Sequence, residues 1–207
     1  TICFTATNYY RQMAGLAGNH NLRSLKQCVS AGEALPDATR YFFKQKTAYE
    51  IIDGIGATEM IHIFISHTPE RVRRGATGYA IPGYAAKVID AAGNPCAPGV
   101  VGRLAVKGPT GCRYLADPRQ KDYVIGSGSL RGWNLTGDAY KMDADGYFYY
   151  QARTDDMIIS AGYNIAGPEV EAALLQHPAV AECGVFGVPD AERGQSVKAC
   201  VVLQPGY

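Results

Sequence analysis

The chain has 207 residues, of which 47% are hydrophobic and 19% are charged, and its formal net charge at pH 7 is +1. This size allows either one domain or a large piece of one domain plus a smaller second one, with enough apolar residues for a packed core. The near-neutral charge gives no electrostatic reason to expect nucleic acids or anionic membranes as partners. The longest apolar runs are also far shorter than the roughly 20 residues that cross a bilayer.

The cysteines and the chain ends extend this first interpretation. Six cysteines are scattered along the chain, without a CxxC pair or a histidine at metal-ligand spacing. In a chain of this size this pattern predicts reduced thiols and a cytoplasmic protein. The chain starts at Thr1 without a methionine and ends at Tyr207 after a strand-like run, so we expect an internal fragment of a longer protein.

The first half of the chain alternates between strand and helix patterns. LKQCV (25–29) and YEII (49–52) are strand candidates, with a helix candidate over 37–47 between them, and IHIFIS (61–66) is a further strand. This order predicts a parallel sheet. The segment FKQKTAYEI (43–51) can also be encoded by a common sequencing-adapter oligonucleotide, so no functional role is assigned to it.

The middle of the chain changes to an antiparallel pattern. The run PERVRR (69–74) predicts a solvated loop. Residues 78–108 alternate between apolar and polar and break at Gly, Asn and Pro, which predicts a small antiparallel β-barrel or sheet. GWNLTGDAY and GYFYYQAR predict two more strands around a turn at 143–146.

The last 54 residues predict a compact α+β lobe, with the boundary near residues 153–156. DMIIS is a strand, GPEVEAALLQHP a short helix, and AVAECGVFGV and SVKACVVL are strands. Gly167 before Pro168 suits a helix start, and Glu169 complements the positive end of the helix dipole.

The stretch DGIGATEM (53–60) is the first motif with chemical content. It does not match a dinucleotide fingerprint, because Glu59 stands where a third small residue is required. A glutamate beside phosphates repels them unless a divalent cation lies between, and Mg²⁺ takes one or two carboxylates plus phosphate oxygens. The motif therefore predicts a turn near a triphosphate, with Thr58 on phosphate and Glu59 on Mg²⁺. An ordinary tight turn with a solvated glutamate is the alternative.

Three further places carry weaker signals. Asp138, in Thr-Gly-Asp at a strand end, could accept both hydroxyls of a ribose, and a plain turn is the alternative. Arg153 with Asp155 at the domain junction fits a nucleotide contact and a hinge, or a salt-bridged linker. His62, three residues after Glu59 on a strand candidate, is more typical of a structural histidine than of a functional one.

Taken in order, SAGEALP, DGIGATEM, GWNLTGD, QARTDDMIISAGYNIAGPEVE and HPAVAECGVFGVPDAERGQ resemble the acyl-adenylate-forming superfamily over nearly the whole chain. GIGATEMIHIFIS, GPTGCRYLADPRQ and SAGYNIAGPEVEAAL are most similar to its benzoate-CoA and 2-aminobenzoate-CoA ligase branch. The resemblance implies an α/β fold plus an α+β fold. Residues 1–153 would be the later part of a large AMP-binding N-terminal domain, with a parallel sheet segment and a small antiparallel β-barrel. Residues 154–207 would be a small C-terminal α+β domain, truncated before the adenylation lysine.

The resemblance also implies an activity and its small molecules. An aromatic carboxylic acid attacks ATP to give an acyl-adenylate and pyrophosphate, and coenzyme A then displaces AMP. Mg²⁺ and positive groups stabilise the transferring phosphoryl charge. The expected partners are ATP, coenzyme A and an aromatic acid in the catabolism of aromatic compounds. Nucleic acids and membranes are excluded, and a homodimer is left open.

Family roles carry over to individual residues of this chain. The following residues would bind the nucleotide and Mg²⁺: Gly32, Glu33 and Ala34 along the adenine, Asp53 and Gly54 at its amino group, Thr58 and Glu59 at the phosphates and metal, and Asp138 and Arg153 at the ribose. The following would serve the other steps: Ala31, Ile55 and His62 at the closed end of the acyl pocket, Ser160, Ala161 and Gly162 near the pantetheine thiol, and Asp155 as the hinge.

Some features depart from the superfamily pattern. Ile55 stands where an aromatic residue usually stacks on adenine, and residues 126–129 look like a small insertion. The upstream phosphate loop and the downstream lysine are absent, so we expect the fragment alone to be inactive. Two alternatives stay open: an adenylation domain that loads an aryl acid onto a carrier protein, and a non-catalytic nucleotide-binding remnant.

Overall fold

The computed structural model describes residues 1–111, 113–126 and 128–206. Within these residues it is a mixed α/β structure with three sheets, and it divides into two compact units. The first unit comprises Thr1–Thr136 and Lys141–Tyr150, and the second Gly137–Tyr140 and Gln151–Tyr207. The functional domain boundary expected between residues 153 and 154 stays a prediction.

The first sheet has five strands in chain order. Its strands are β1 (Ile2–Thr5), β2 (Gln27–Ser30), β3 (Ile51–Gly56), β4 (Ile63–Ser66) and β5 (Tyr79–Ala80). Strands β1, β2 and β3 are parallel, whereas β4 and β5 join antiparallel. The predicted parallel arrangement is therefore confirmed for β2 and β3 but not for β4, because a connection of only six residues separates it from β3 and is too short for a crossover.

Two helices accompany this sheet, α1 (Thr7–Leu16) and α2 (Asp37–Thr47). Helix α2 has the predicted bounds, and local signals explain both ends. Asp37 lies in its first turn, and Ala48 takes a left-handed conformation (φ 64°) and donates its N–H to the carbonyl of Lys44. The core between the helices and the sheet contains a group of buried residues: Tyr10, Ala14, Cys28, Phe43 and Ile51.

The antiparallel strands in the middle of the chain form an open sheet. Of the two predicted alternatives the sheet is confirmed, and the β-barrel that the resemblance implied was wrong. Its strands, in spatial order, are β6 (Ala85–Ile89), β7 (Gly102–Lys107), β8 (Asn134–Met142) and β9 (Phe148–Arg153). Within the described residues β6 and β9 are the two edges of this sheet and do not pair with each other. Even a small barrel such as the OB-fold uses five strands, so four cannot readily close. The division between the two units passes through β8 and β9, and the short helix α3 (Gln120–Tyr123) precedes β8.

The PERVRR segment is not the plain solvated loop that the sequence predicts. The guanidinium of Arg71 lies 4.0 Å from the ring centroid of Tyr79, and that of Arg73 lies 3.9 Å from the ring centroid of Tyr147. Arg73 also donates to Asp143 at 2.6 Å. A planar guanidinium can stack on a ring and bind a carboxylate together. Arg73 therefore attaches the segment to the β8–β9 turn, and Arg71 attaches it to β5.

The second unit is an α+β lobe with a four-stranded sheet. Its strands, in spatial order, are β11 (Tyr163–Ile165), β10 (Ile158–Ser160), β13 (Gly194–Leu203) and β12 (Val180–Asp190). Helix α4 (Gly167–Leu174) begins with Pro168 in its first turn and packs on β12. A Cβ on Gly167 would lie 2.9 Å from the carbonyl oxygen of Val185, so this glycine permits the close approach.

Two global features relate to the composition. The five described cysteines are free thiols, and Cys112 lies outside the described residues. In the part of the chain that the structure describes, no helix combines the length and apolar character needed to span a membrane.

Candidate active site

Strand register brings the predicted adenine-binding segments of the first unit to one sheet edge. Ser30 at the end of β2 pairs with Asp53 of β3 in parallel register. The loop 31–34 and the end of β3 therefore lie at the same end of the parallel strands, which is where open α/β sheets bind ligands. Residues 32–34 are exposed, and Gly32 has φ 93°, a conformation that favours glycine.

The paired glycines have a different local role from the predicted one. Gly54 and Gly56 are part of strand β3, so the turn predicted at these residues was wrong, and the chain reverses only after Gly56. A Cβ on Gly56 would lie 2.8 Å from the carbonyl oxygen of His62, and one on Gly54 would lie 2.9 Å from the side chain of Ile63. The glycines thus allow the next segment to approach β3 closely.

Thr58 and Glu59 lie on a single turn of 3-10 helix, Thr58–Met60, between β3 and β4. Thr58 is exposed and Glu59 is half-buried. The Glu59 Oε1 atom accepts a hydrogen bond from the Tyr114 hydroxyl at 2.6 Å. Ile61 follows with φ 71° and its side chain is 74% exposed. A left-handed β-branched residue is strained, and such strain often lies beside functional residues.

Asp53 belongs to a buried polar cluster behind this turn. Its N–H donates to His67 Nε2 at 3.0 Å, and its carbonyl accepts from the Ser66 hydroxyl at 2.6 Å. Burial raises the pKa of the Asp53 carboxyl to about 7, although the charge of Arg40 acts in the opposite direction. The Ser66 hydroxyl uses one lone pair of the Asp53 carbonyl, and the second lone pair is available to another donor.

His67 holds the backbone of Asp53 through a neutral imidazole ring. Its Nδ1 lies 3.0 Å from the carbonyl of Thr68, so Nδ1 donates and Nε2 is left to accept from Asp53. Burial lowers the pKa of His67, and the nearby Arg40 charge lowers it further. The structure thus adds His67 and Arg40 to this edge of the sheet, and no local sequence pattern had indicated them.

The three predicted acyl-pocket residues occupy separate positions around the same edge. Ala31 directly follows β2 and is half-buried, and Ile55 lies in β3 opposite Ile65. His62 is exposed on a bend, and its predicted place in a strand was wrong because β4 begins at Ile63. Their common role in an acyl pocket stays a prediction.

In the second unit, the structure brings Asp138 and Arg153 together. Asp138 is buried on β8, and its Oδ1 accepts a hydrogen bond from Arg153 Nη1 at 3.1 Å. Gly137 precedes it with φ 76°, and a Cβ there would lie 2.7 Å from the guanidinium of Arg153. A carboxylate oriented by a guanidinium can accept hydroxyl groups while it stays charged. Asp155 is exposed in the bend after β9, 3.8 Å from the Nε of Arg153.

The predicted pantetheine loop is a tight hairpin turn. Ser160 pairs with Tyr163, and the two residues between them, Ala161 and Gly162, have φ 49° and 83°. Two consecutive positive φ angles are typical of a type I′ hairpin. Ala161 and Gly162 are exposed, whereas Ser160 is buried and its hydroxyl accepts from Arg193 Nε at 3.3 Å.

We compared the sequence with models of known protein families. The model of the AMP-binding enzyme family matches residues 1–114, and that of the AMP-binding enzyme C-terminal domain matches residues 169–207. The chain belongs to the AMP-binding enzyme family. It is 38% identical to the benzoate–CoA ligase of Thauera aromatica, over 88% of this chain and 34% of that protein. It is also 38% identical to the mitochondrial acyl-coenzyme A synthetase ACSM3 of Homo sapiens, over 99% of this chain and 35% of that protein.

Solved structures of this family have the same fold over the whole chain. The anthranilate CoA ligase AuaEII, in complex with anthranoyl-AMP, is 39% identical with a TM-score of 0.89, and this chain covers 40% of it. The benzoate CoA ligase of Burkholderia xenovorans LB400 is 34% identical with a TM-score of 0.85, and this chain covers 41% of it. The chain thus spans about a third of the length of the relatives and two fifths of the solved structures it matches.

Proposed function

We propose that the protein containing this chain is an AMP-forming acid–thiol ligase that joins an aromatic acid, of the benzoate or 2-aminobenzoate type, to coenzyme A. The observation that carries this proposal is the likeness to AuaEII over the whole chain, since that structure holds an aryl adenylate. The likeness to the Thauera benzoate–CoA ligase supports the same class of acid.

In the proposed reaction, a carboxylate oxygen of the acid forms a bond to the α-phosphorus of ATP and pyrophosphate leaves. The sulfur of coenzyme A then bonds to the carbonyl carbon and gives up its proton to water. The bond from that carbon to the phosphate oxygen breaks, and AMP leaves with the electron pair of this bond. Negative charge accumulates on phosphate oxygens in the first step, so donors and cations oriented beforehand lower its barrier. We propose that the phosphate charge lies beside the segment 57–62. This segment follows β3 at the end of the parallel strands, where open α/β sheets bind ligands.

Glu59 fits the Mg²⁺ that this chemistry uses. Mg²⁺ prefers oxygen ligands and usually takes one or two carboxylates, with substrate phosphates and water completing the shell. Glu59 is half-buried with one oxygen held by Tyr114, so its carboxylate has a fixed direction. Among the described residues, no group of three or more His, Cys, Asp or Glu could form a metal site made by protein alone. Magnesium, when bound, would neutralise phosphate charge, and Glu59 would orient it with Thr58 on phosphate.

The remaining contacts belong to the second unit. We propose that Asp138 accepts the ribose hydroxyls and that Arg153 orients it, which the 3.1 Å contact between them supports. Ser160, Ala161 and Gly162 would approach the pantetheine, since two of the three are exposed on a hairpin turn. The exposed bend at Asp155 is the proposed hinge. In the first unit, Gly32, Glu33, Ala34, Asp53 and Gly54 would contact adenine.

Replacing Glu59 with glutamine in the full-length protein tests the metal role. Glu59→Gln keeps the size of the side chain and its contact with Tyr114 but removes the charge. We expect pyrophosphate release to fall by roughly 10²- to 10³-fold, the range seen when one group that stabilises a transition state is removed. The variant should keep the wild-type melting temperature. Unchanged pyrophosphate release would contradict the role of Glu59.

A substrate panel tests the acid and the acceptor. The likeness to ACSM3 is as strong as that to the benzoate ligase, so straight-chain acids are the direct alternative. The amide bond synthetase McbA, 30% identical with a TM-score of 0.90, adds an amine as an alternative acceptor. We expect larger kcat/KM values for benzoate or 2-aminobenzoate than for hexanoate, and a thioester product. Preference for hexanoate, or product formation only with an amine or a carrier protein, would overturn the corresponding half of the proposal.

A further inference from the structure

The turn that carries Glu59 is too short to hold its own position. It contains three residues, and its internal hydrogen bonds run from Met60 N to Ala57 O and from Ile61 N to Thr58 O. A single helical turn fixes more backbone angles than its hydrogen bonds repay. Contacts from elsewhere in the first unit must therefore fix the direction of the Glu59 carboxylate.

Those contacts come from the segment after β7. The Thr110 hydroxyl donates to the carbonyl of Met60 at 2.7 Å, so the proton of the 2.5 Å contact between Tyr84 and Thr110 comes from Tyr84. The Met60 side chain is fully buried, so it attaches the turn to the core of the first unit. Four residues after Thr110, Tyr114 donates its hydroxyl to the Glu59 carboxylate at 2.6 Å.

Tyr114 is itself held in place. Its backbone N–H donates to Gln120 Oε1 at 2.6 Å, and its ring centroid lies 5.9 Å from that of Tyr123 on helix α3. Tyr123 is buried, so the ring of Tyr114 packs against a side chain that is itself held in the core. The hydroxyl of Tyr114 is therefore a donor whose direction is set before any ligand binds.

We infer that Tyr114 is a positioning residue for Glu59: its hydroxyl holds Oε1, and this leaves Oε2 directed at the cation. This inference rests on the proposed function, in which Glu59 binds Mg²⁺. An O–H donor to a carboxylate at 2.5–2.7 Å makes a strong hydrogen bond. It also leaves the charge of the carboxylate available, because the phenol is neutral. Among the described residues, no ion pair forms at Glu59 that would compete with a metal.

The alternative is that Tyr114 merely attaches its own segment to the β3–β4 connection. The two roles differ in their dependence on metal. A positioning residue changes the Mg²⁺ concentration that the enzyme needs, whereas a structural attachment changes stability or activity equally at all Mg²⁺ concentrations. The variant Tyr114→Phe keeps the ring on Tyr123 and removes only the hydroxyl, so it separates the two roles.

The experiment uses the full-length protein with three variants. Tyr114→Phe is the test, and Glu59→Gln reports the metal role itself. Tyr149→Phe is the matched control, because the Tyr149 hydroxyl also donates to a carboxylate, Asp143, at 2.9 Å. Two quantities are measured: the Mg²⁺ concentration that gives half-maximal pyrophosphate release, and the affinity of Mn²⁺ for the protein–ATP complex by electron paramagnetic resonance.

We expect Tyr114→Phe to raise the half-maximal Mg²⁺ concentration about 10-fold and to weaken Mn²⁺ binding by a similar factor, as for loss of one hydrogen bond to a charged group. Saturating Mg²⁺ should restore most of the rate, and Tyr149→Phe should match the wild type. Suppose that Tyr114→Phe leaves the half-maximal Mg²⁺ concentration and the Mn²⁺ affinity unchanged, while Glu59→Gln abolishes Mn²⁺ binding. The inference is then wrong and the proposed function stands. A rate loss that is the same at every Mg²⁺ concentration also contradicts it. If Glu59→Gln keeps wild-type metal binding, the proposed metal site itself fails.

Discussion

Two carboxylates, one in each unit, accept hydrogen bonds from donors of different charge. Glu59 in the first unit is held by the neutral hydroxyl of Tyr114 at 2.6 Å. Asp138 in the second unit is held by the charged guanidinium of Arg153 at 3.1 Å. Both donors fix a carboxylate in space, but only the second supplies a positive charge.

The difference matches what each carboxylate is proposed to bind. A residue that takes a divalent cation benefits from a donor that does not cancel its charge, since a nearby cation would compete with the metal. A residue that accepts neutral hydroxyl groups needs to stay ionised in a buried place, and a guanidinium stabilises that state. The partner of a carboxylate therefore indicates the ligand for which it is prepared.

The largest expected effect is the pH dependence of stability that Asp53 causes. Asp53 is buried like Asp138 but, among the described residues, has no ion pair. Its folded pKa of about 7 lies above the ordinary 3.8, so the folded chain keeps a proton that the unfolded chain releases. The stabilising contribution is complete below pH 4 and is lost as the pH rises through 7. At 1.36 kcal/mol per pKa unit, the upper limit is roughly 4 kcal/mol.

Urea unfolding at pH 5 and pH 8 measures the part of this contribution that is lost above pH 5, roughly two of the three pKa units. The wild-type protein should lose stability between these values, and Asp53→Asn should lose much less. His67 acts in the opposite direction, because its lowered pKa removes stability as the pH falls below about 6.5. The difference between wild type and Asp53→Asn cancels the His67 contribution. Parallel pH profiles would show that Asp53 is ionised when folded.

A charge placed beside Glu59 breaks the comparison directly. Tyr114→Lys replaces the neutral donor with an ammonium of similar reach, which should pair with Glu59 and repel Mg²⁺. We expect pyrophosphate release to fall on the order of 100-fold, since such a charge pair is worth about 1–4 kcal/mol near a protein surface. Tyr149→Lys, beside an Asp143 already paired with Arg73, serves as the control. A Tyr114→Lys rate equal to that of Tyr114→Phe would show that the charge of the donor does not matter.

Removing the charge of Asp138 gives the smallest of these effects. Asp138→Asn keeps the shape of the side chain but weakens its hydrogen bonds with Arg153 and with the proposed ribose hydroxyls. The KM for ATP should rise about 10-fold with little change in kcat, as for one hydrogen bond to a charged group. Asp145→Asn, at another arginine-paired carboxylate, is the control. An unchanged KM for ATP would remove Asp138 from the nucleotide site.

Sequence reasoning was most successful where the determinants are local. Helix α2 has its predicted bounds because Pro36 and Asp37 define its start, and the left-handed Ala48 ends it. The order of SAGEALP, DGIGATEM and GWNLTGD indicated the family, and the match to the family models confirms it. Asp138 and Arg153 contact each other in the structure, and the ribose role that the resemblance gives to both stays a prediction.

Sequence reasoning failed where distant segments decide the outcome. The Gly-Ile-Gly pattern suits a phosphate turn or a close strand approach, and only the position of His62 distinguishes them. Closure of the antiparallel strands into a barrel depends on how many strands pair, which alternation along one strand does not reveal. Tyr114 lies 55 residues from Glu59, so no local spacing connects them.

The left-handed backbone at Ile61 has a consequence for engineering this protein. Screens for thermal robustness would be drawn to this position, because glycine adopts φ 71° and ψ −38° with less cost than isoleucine. Such a gain would loosen the connection two residues from Glu59, and stability gained at strained active-site positions commonly reduces turnover. Consensus-guided improvement of the protein is therefore best directed at exposed residues far from the β3–β4 connection.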